Sequence, residues 1–205
     1  MPKEHTMETP LLNKQKFIAY YKEHIKREGA DALLAYLESP ASDFFTAPAS
    51  TRFHGAYAGG LCEHSINVYE SLRTYVTSAR FTDTYDLHFS EESIAIVSLL
   101  HDLCKVNIYK PSKRNVKKDG VWVSVDSYEF DDQLPYGHGE KSVIMLQNFM
   151  KLTQDEILLI RWHMGPFAAA NEYDFNTQYV NNHWCHSIEN MILRSLKEKD
   201  KKEER

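Results

Sequence analysis

Apolar side chains recur along most of this chain at the spacing of helices with one buried face. From Asn13 to about Glu38 the recurring positions are Phe17, Ile18, Tyr21, Ile25, Leu33, Leu34 and Leu37, and Gly29 falls where one helix would give way to a second. Residues 1–11, ahead of this pattern, read as a loose arm. Residues 39–58 carry Pro40, Pro48 and several small side chains, which predicts loop with at most a short turn. Helical spacing resumes near Gly60 and continues to about Ala79. Ser90-Glu91-Glu92-Ser93 then has the makeup of a helix start, with a hydroxyl for the first N–H groups and carboxylates for the positive end of the dipole. The helix it opens is expected to run through Ile94, Val97, Leu100 and Cys104.

The period changes once. Asp119-Gly120 is a hairpin-turn dipeptide, Val121, Val123 and Val125 alternate after it, and Val116 precedes it. A β-hairpin over about 108–130, inserted between helices, is the prediction. Helices return over about 138–150, over 154–163 behind the cap Thr153, and over about 177–197 behind Thr177. Residues 197–205 are a charge run expected to be flexible. With no repeat and no low-complexity linker, residues 1–205 read as a single, mainly α domain carrying one β-hairpin.

Bulk properties narrow the setting without naming a chemistry. The 205 residues suffice for one real core, and 42% hydrophobic with 26% charged is ordinary for a soluble globular chain. A net charge of −5 argues against general affinity for nucleic acid, though not against a local basic patch. Cys62, Cys104 and Cys185 are odd in number and form no CxxC, so a reduced, cytoplasmic protein is expected. The polar start lacks a signal-peptide core, and no run reaches membrane-spanning length, so no membrane partner is expected.

Candidate chemistry lies in four histidine-bearing segments: Gly59-Gly60-Leu61-Cys62-Glu63-His64, Leu100-His101-Asp102-Leu103-Cys104-Lys105, Tyr136-Gly137-His138-Gly139-Glu140-Lys141 and Arg161-Trp162-His163-Met164-Gly165. Separate helices can project such side chains into one bundle interior, and imidazole with carboxylate suits first-row metals. On a helix His101 and Lys105 share a face, and the apolar residues lie on the same side, so Asp102 is expected to face inward. A buried carboxylate needs compensation, either a bound cation or a salt bridge. Taken singly, each histidine is more often a satisfied core or capping residue. Four such segments with Asp102 favour a shared site.

In that order, H…HD…H…H, the chain resembles the HD-domain metal-dependent phosphohydrolases. Residues 53–64, Phe53-His54-Gly55-Ala56-Tyr57-Ala58-Gly59-Gly60-Leu61-Cys62-Glu63-His64, are similar to the HHAxxGGLLEH stretch in the HD domain of bacterial 3′–5′ exoribonucleases. Residues 99–105 resemble LLHDxGK, with Cys104 where glycine is usual. The resemblance spans about residues 50–190. It implies an HD-domain helical bundle with one or two divalent metals, drawn from Mn, Fe, Co, Ni or Zn. His64, His101 and Asp102 would hold the first metal; Asp102 would bridge to a second, held also by His138 and His163; Lys105 would contact the scissile phosphate. The family closes its first site with a late aspartate. Here His186 falls at that place, with Glu189 about one turn later as a fallback ligand.

The implied reaction is hydrolysis of a phosphoester by metal-activated water, with no side-chain nucleophile. Asp102 and Lys105 are the expected catalytic residues, and His54 is either a phosphate or leaving-group contact at the rim or a loop histidine without a role. Glu63 either orients a ligand or faces solvent, and one of Glu140 and Lys141 is expected to be exposed. Lys110, Lys113, Arg114, Lys117 and Lys118 concentrate positive charge on the hairpin, either to attract phosphorylated substrates or to keep its tip soluble. Tyr109, Trp122, Tyr128 and Phe130 either stack on a base or pack the hairpin onto the helices. The substrate class is a phosphorylated small molecule, a nucleotide above all, or a nucleic-acid end. The competing reading is a catalytically inactive HD-fold module that binds a nucleotide for regulation.

Overall fold

The computed structural model describes residues 8–85, 89–118, 120–134 and 136–164. Over these residues the protein is mainly α-helical. Seven helices occur among them: α1 (Glu8–His24), α2 (Ala30–Glu38), α3 (Gly60–Val76), α4 (Ala79–Tyr85), α5 (Glu91–Leu100), α6 (His138–Gln147) and α7 (Gln154–Arg161). A short 3-10 turn, Leu103–Lys105, follows α5, and β1 (Tyr109–Lys118) pairs with β2 (Val121–Phe130).

The apolar periodicity becomes the core. Phe17 and Tyr21 of α1, Leu33 and Leu37 of α2, Leu61 and Tyr69 of α3, Ile96, Leu99 and Leu100 of α5, Leu146 of α6 and Ile160 of α7 are all buried. Helix α3 lies against α5, α1 touches both, and α6 packs on α7 and on the 3-10 turn. Caps fix where helices begin. The Ser90 hydroxyl accepts from the Ser93 N–H at 3.0 Å, and Thr153 and Glu156 form a reciprocal capping box.

Two boundaries and one additional helix differ from expectation. Helix α1 starts at Glu8, so residues 8–11, read as part of a loose arm, are helical. Pro10 is tolerated in a first turn, where its missing N–H has no intrahelical acceptor, and Leu11 and Leu12 point outward, which hides the turn from a search for buried periodicity. Helix α4 lies where no element was predicted. Helix α5 does not continue through Cys104; it stops at Leu100, because Asp102 takes φ −100°, ψ 22° and the chain tightens into the 3-10 turn. The predicted helix over about 177–197 and the flexible tail over 197–205 lie outside the described residues.

The hairpin pairs Val116 with Val123 and Tyr109 with Phe130. Two of its aromatic side chains do not dock onto the bundle, Trp122 being 69% and Phe130 63% exposed, whereas Tyr109 and Tyr128 are half-buried. The hairpin is tied at its base, where the Asp131 N–H donates to the Ile108 carbonyl at 2.8 Å and Lys110 pairs with Asp131, and further along, where the Ser127 hydroxyl donates to the Thr51 carbonyl at 3.5 Å.

Candidate metal centre

Four helices and their margins bring the predicted histidines to one carboxylate. His64 comes from the first turns of α3, His101 and Asp102 from the end of α5, His138 from the start of α6, and His163 from just beyond α7. Close backbone approach makes this possible at two glycines. A Cβ on Gly60 would collide with the Gly55 carbonyl, and one on Gly139 would collide with the Arg161 carbonyl. These contacts press the start of α3 onto the preceding loop and the start of α6 onto the end of α7.

Asp102 is 2% exposed and its two oxygens meet different partners. Oδ2 lies 3.3 Å from His64 Nε2, 3.2 Å from His101 Nε2 and 2.7 Å from Lys105 Nζ. Oδ1 lies 2.8 Å from His138 Nε2 and 3.3 Å from His163 Nε2. His64 Nε2 and His101 Nε2 are 3.2 Å apart. Ligand atoms bonded to one ion at about 2.0–2.2 Å, at angles near 90–110°, stand roughly 2.8–3.6 Å from one another. The observed separations fall in that interval.

The histidine tautomers point the same way. His101 Nδ1 lies 2.8 Å from the Ser98 carbonyl and His163 Nδ1 lies 2.6 Å from the Ile160 carbonyl. A carbonyl only accepts, so in both rings Nδ1 carries a proton and donates it. Burial pushes His163 down to about 4, so at neutral pH its Nε2 is a bare lone pair. That atom is buried without a hydrogen-bond partner, facing a carboxylate oxygen. Two acceptors at 3.3 Å repel unless a cation lies between them. An imidazole held through Nδ1–H with Nε2 turned inward is the arrangement metal ligands use. The residues present therefore fit a divalent cation. His64, His101 and Asp102 form one group able to hold a metal; Asp102, Cys104 and His138 form another.

The electrostatics are those of a buried cluster. Burial drives His64 to about 3. Burial alone would raise the Asp102 carboxyl, but the Lys105 ammonium, His101 and the His138 hydrogen bond outweigh it and hold it well below the usual range. His138 is more open; burial would lower it, yet Asp102 and Cys104 raise it to about 10.

The remaining candidates separate into near and far. The His54 ring stands 4.9 Å from that of His64, at the edge of the cluster. Lys105 reaches Asp102 as a neighbour across the 3-10 turn; the α-helical face shared with His101 does not exist, because the helix ends first. Glu63 turns away and accepts from Asn13 at 3.3 Å. Neither Glu140 nor Lys141 is simply exposed: Glu140 pairs with Arg161 at 2.8 Å, and Lys141 is buried against Asp132. His186 and Glu189 lie outside the described residues. Lys113, Arg114 and Lys117 are exposed on the hairpin. At its base, burial raises the Tyr109 phenol, and the charges of Asp102 and Cys104 raise it further, which sets the start of β1 beside the cluster.

Sequence reasoning missed Cys104 as a neighbour of His138, with Sγ 3.3 Å from Nδ1. It also missed the carbonyls of Ser98 and Ile160, which every residue possesses and no motif can mark. No protein-family model, no curated protein and no solved structure matches this chain. No helix among the described residues is long and apolar enough to cross a membrane.

Proposed function

We propose that the chain is a divalent-metal-dependent phosphohydrolase of the HD-domain type its motifs resemble, cleaving a phosphoester of a nucleotide or short oligonucleotide. The observation that carries this reading is the meeting of both Asp102 oxygens with the Nε2 atoms of His64, His101, His138 and His163. A divalent cation held there supplies Lewis acidity and hydroxide near neutral pH. Asp102 fixes the centre, and its two oxygens serve two groups of imidazoles. The Lys105 ammonium lies 2.7 Å from Oδ2 and is placed to offset charge developing on phosphoryl oxygens. His54 borders the first group and contacts substrate from the rim. The exposed Lys113, Arg114 and Lys117 add a local positive field that draws in phosphorylated ligands despite the negative net charge.

The test is a panel of nucleotides, cyclic dinucleotides and short oligonucleotides, assayed with Mn²⁺, Fe²⁺, Co²⁺ or Ni²⁺. Turnover is expected for at least one phosphoester, and Asp102→Ala should reduce it at least about a hundredfold while circular dichroism stays unchanged. Metal-dependent nucleotide binding with no turnover under any of these metals would replace the enzyme with a binding module. Equal activity in Asp102→Ala would remove the site from the chemistry.

A further inference from the structure

Cys104 occupies the position where the motif resembled by residues 99–105 has glycine, and its surroundings are more specific than a core filler requires. Its Sγ lies 3.3 Å from His138 Nδ1 and 3.8 Å from Nε2, and His138 Nε2 lies 2.8 Å from Asp102 Oδ1. The thiol is held in place by its own backbone: the Cys104 N–H donates to the buried Ser142 hydroxyl, one turn along α6 from His138, at 3.0 Å. An independent feature points at the same spot. His163 is 3% exposed, its Nε2 has no hydrogen-bond partner, and it faces that same Asp102 Oδ1 at 3.3 Å.

The line Asp102–His138–Cys104 superficially resembles the relay of a cysteine nucleophile. Burial argues against that use, since Cys104 is 2% exposed and its sulfur cannot reach a substrate carbonyl or phosphorus. A sulfur that is closed to substrate but grouped at ligand distance with Asp102 and His138 is suited to hold an ion.

We propose that Cys104 is a thiolate ligand of the second metal, with Asp102 Oδ1, His138 and His163, so that this half of the centre is a mixed sulfur, nitrogen and oxygen site. The inference rests on the metal-centre reading above and deepens it. On binding, the S–H bond breaks, the proton leaves to water and the sulfur lone pair forms the bond to the cation. Metal–sulfur bonds of about 2.3 Å beside metal–nitrogen bonds of about 2.0–2.1 Å, at angles of about 110–120°, place the two donors roughly 3.5–3.8 Å apart, and Cys104 Sγ stands 3.8 Å from His138 Nε2. Thiolate favours borderline ions, so the site should select Zn²⁺, Fe²⁺ or Co²⁺ over Mg²⁺ and Mn²⁺.

The experiment uses the full chain, stripped with chelator and titrated with Co²⁺. A near-ultraviolet thiolate-to-cobalt charge-transfer band is expected in the wild type and in Cys185→Ser, and its loss is expected in Cys104→Ser and Cys104→Ala. The same two Cys104 variants should lose Zn²⁺ affinity at least about tenfold more than Mn²⁺ affinity. Thermal unfolding identifies the variant that keeps its fold, and the comparison is made on that one. Co²⁺ bound at the same stoichiometry without a band, or a band that survives in Cys104→Ala, overturns the sulfur ligand and leaves the imidazole–carboxylate centre standing. Wild type that binds no more Co²⁺ than Asp102→Ala overturns both.

Discussion

Asp102 is surrounded by nitrogen at every polar contact, and the state of each nitrogen decides how the fold responds to acid. Burial holds His64 at about 3 and His163 at about 4, below the ~6.5 of an exposed imidazole. Once metal is removed, an unfolded chain takes up protons on both rings as pH drops below about 6.5, while the fold refuses them. Stability should therefore fall between about pH 6.5 and 4, by on the order of 1 kcal/mol per pH unit for each ring. Asp102 acts in the same direction further down, since its depressed carboxyl stabilises the fold above the unfolded value and that contribution is lost as pH falls through the folded one. His138 acts oppositely. Raised to about 10, it stabilises fully below about 6.5 and loses that contribution as pH rises toward 10. Thermal unfolding in chelator, compared at about pH 7 and pH 5, checks the dominant effect; an unchanged midpoint would contradict the buried neutral imidazoles.

The hairpin and the helix margins show what an element contributes beyond its residues. Gly139 is inside α6, where glycine ordinarily costs stability, yet it lets α6 meet the Arg161 carbonyl at the end of α7. Gly139→Ala should push the two apart, destabilising the fold by about 1–3 kcal/mol and lowering the unfolding midpoint by several degrees. Because the same contact sets His138 against His163, metal affinity should fall with it; a fully stable variant with normal metal content would refute the role assigned to this contact. Element by element, the sequence was most legible where a buried stripe met a cap, as in α5 behind Ser90 and α7 behind Thr153. It was least legible at ends set by tertiary contact. The break of α5 at Leu100 has no Gly or Pro to announce it, and it is the break that swings Asp102 and Lys105 into one pair. The four histidine segments were visible as a pattern, but their convergence depends on helix packing that periodicity alone does not fix.

Across the whole molecule, one network around a buried carboxylate sits at the opposite ends of the helices that carry the centre. Arg27, between α1 and α2, donates to both oxygens of Glu156 at 2.7 and 2.8 Å and reaches Glu92 at 3.2 Å. Ser93 of α5 donates to Glu156 at 2.8 Å, and Glu156 also closes the capping box of α7. The starts of α5 and α7 are thus joined through a carboxylate that is fully buried, while their far ends deliver His101 and His163. Arg27→Ala would leave Glu156 buried without its cation, at a cost of about 3–5 kcal/mol. Urea unfolding measures this directly; a loss below about 1 kcal/mol would mean the two helices are registered by apolar packing alone.

His101 and His163 are each steered by a peptide oxygen three positions upstream. Such an anchor is invisible to alanine scanning, since replacing Ser98 or Ile160 trims a side chain and leaves the oxygen behind. What protects the ring orientation is the count of residues between helix end and imidazole. Drift in composition at these two positions is therefore tolerable, whereas inserting or deleting one residue there would rotate the donor away from its partner.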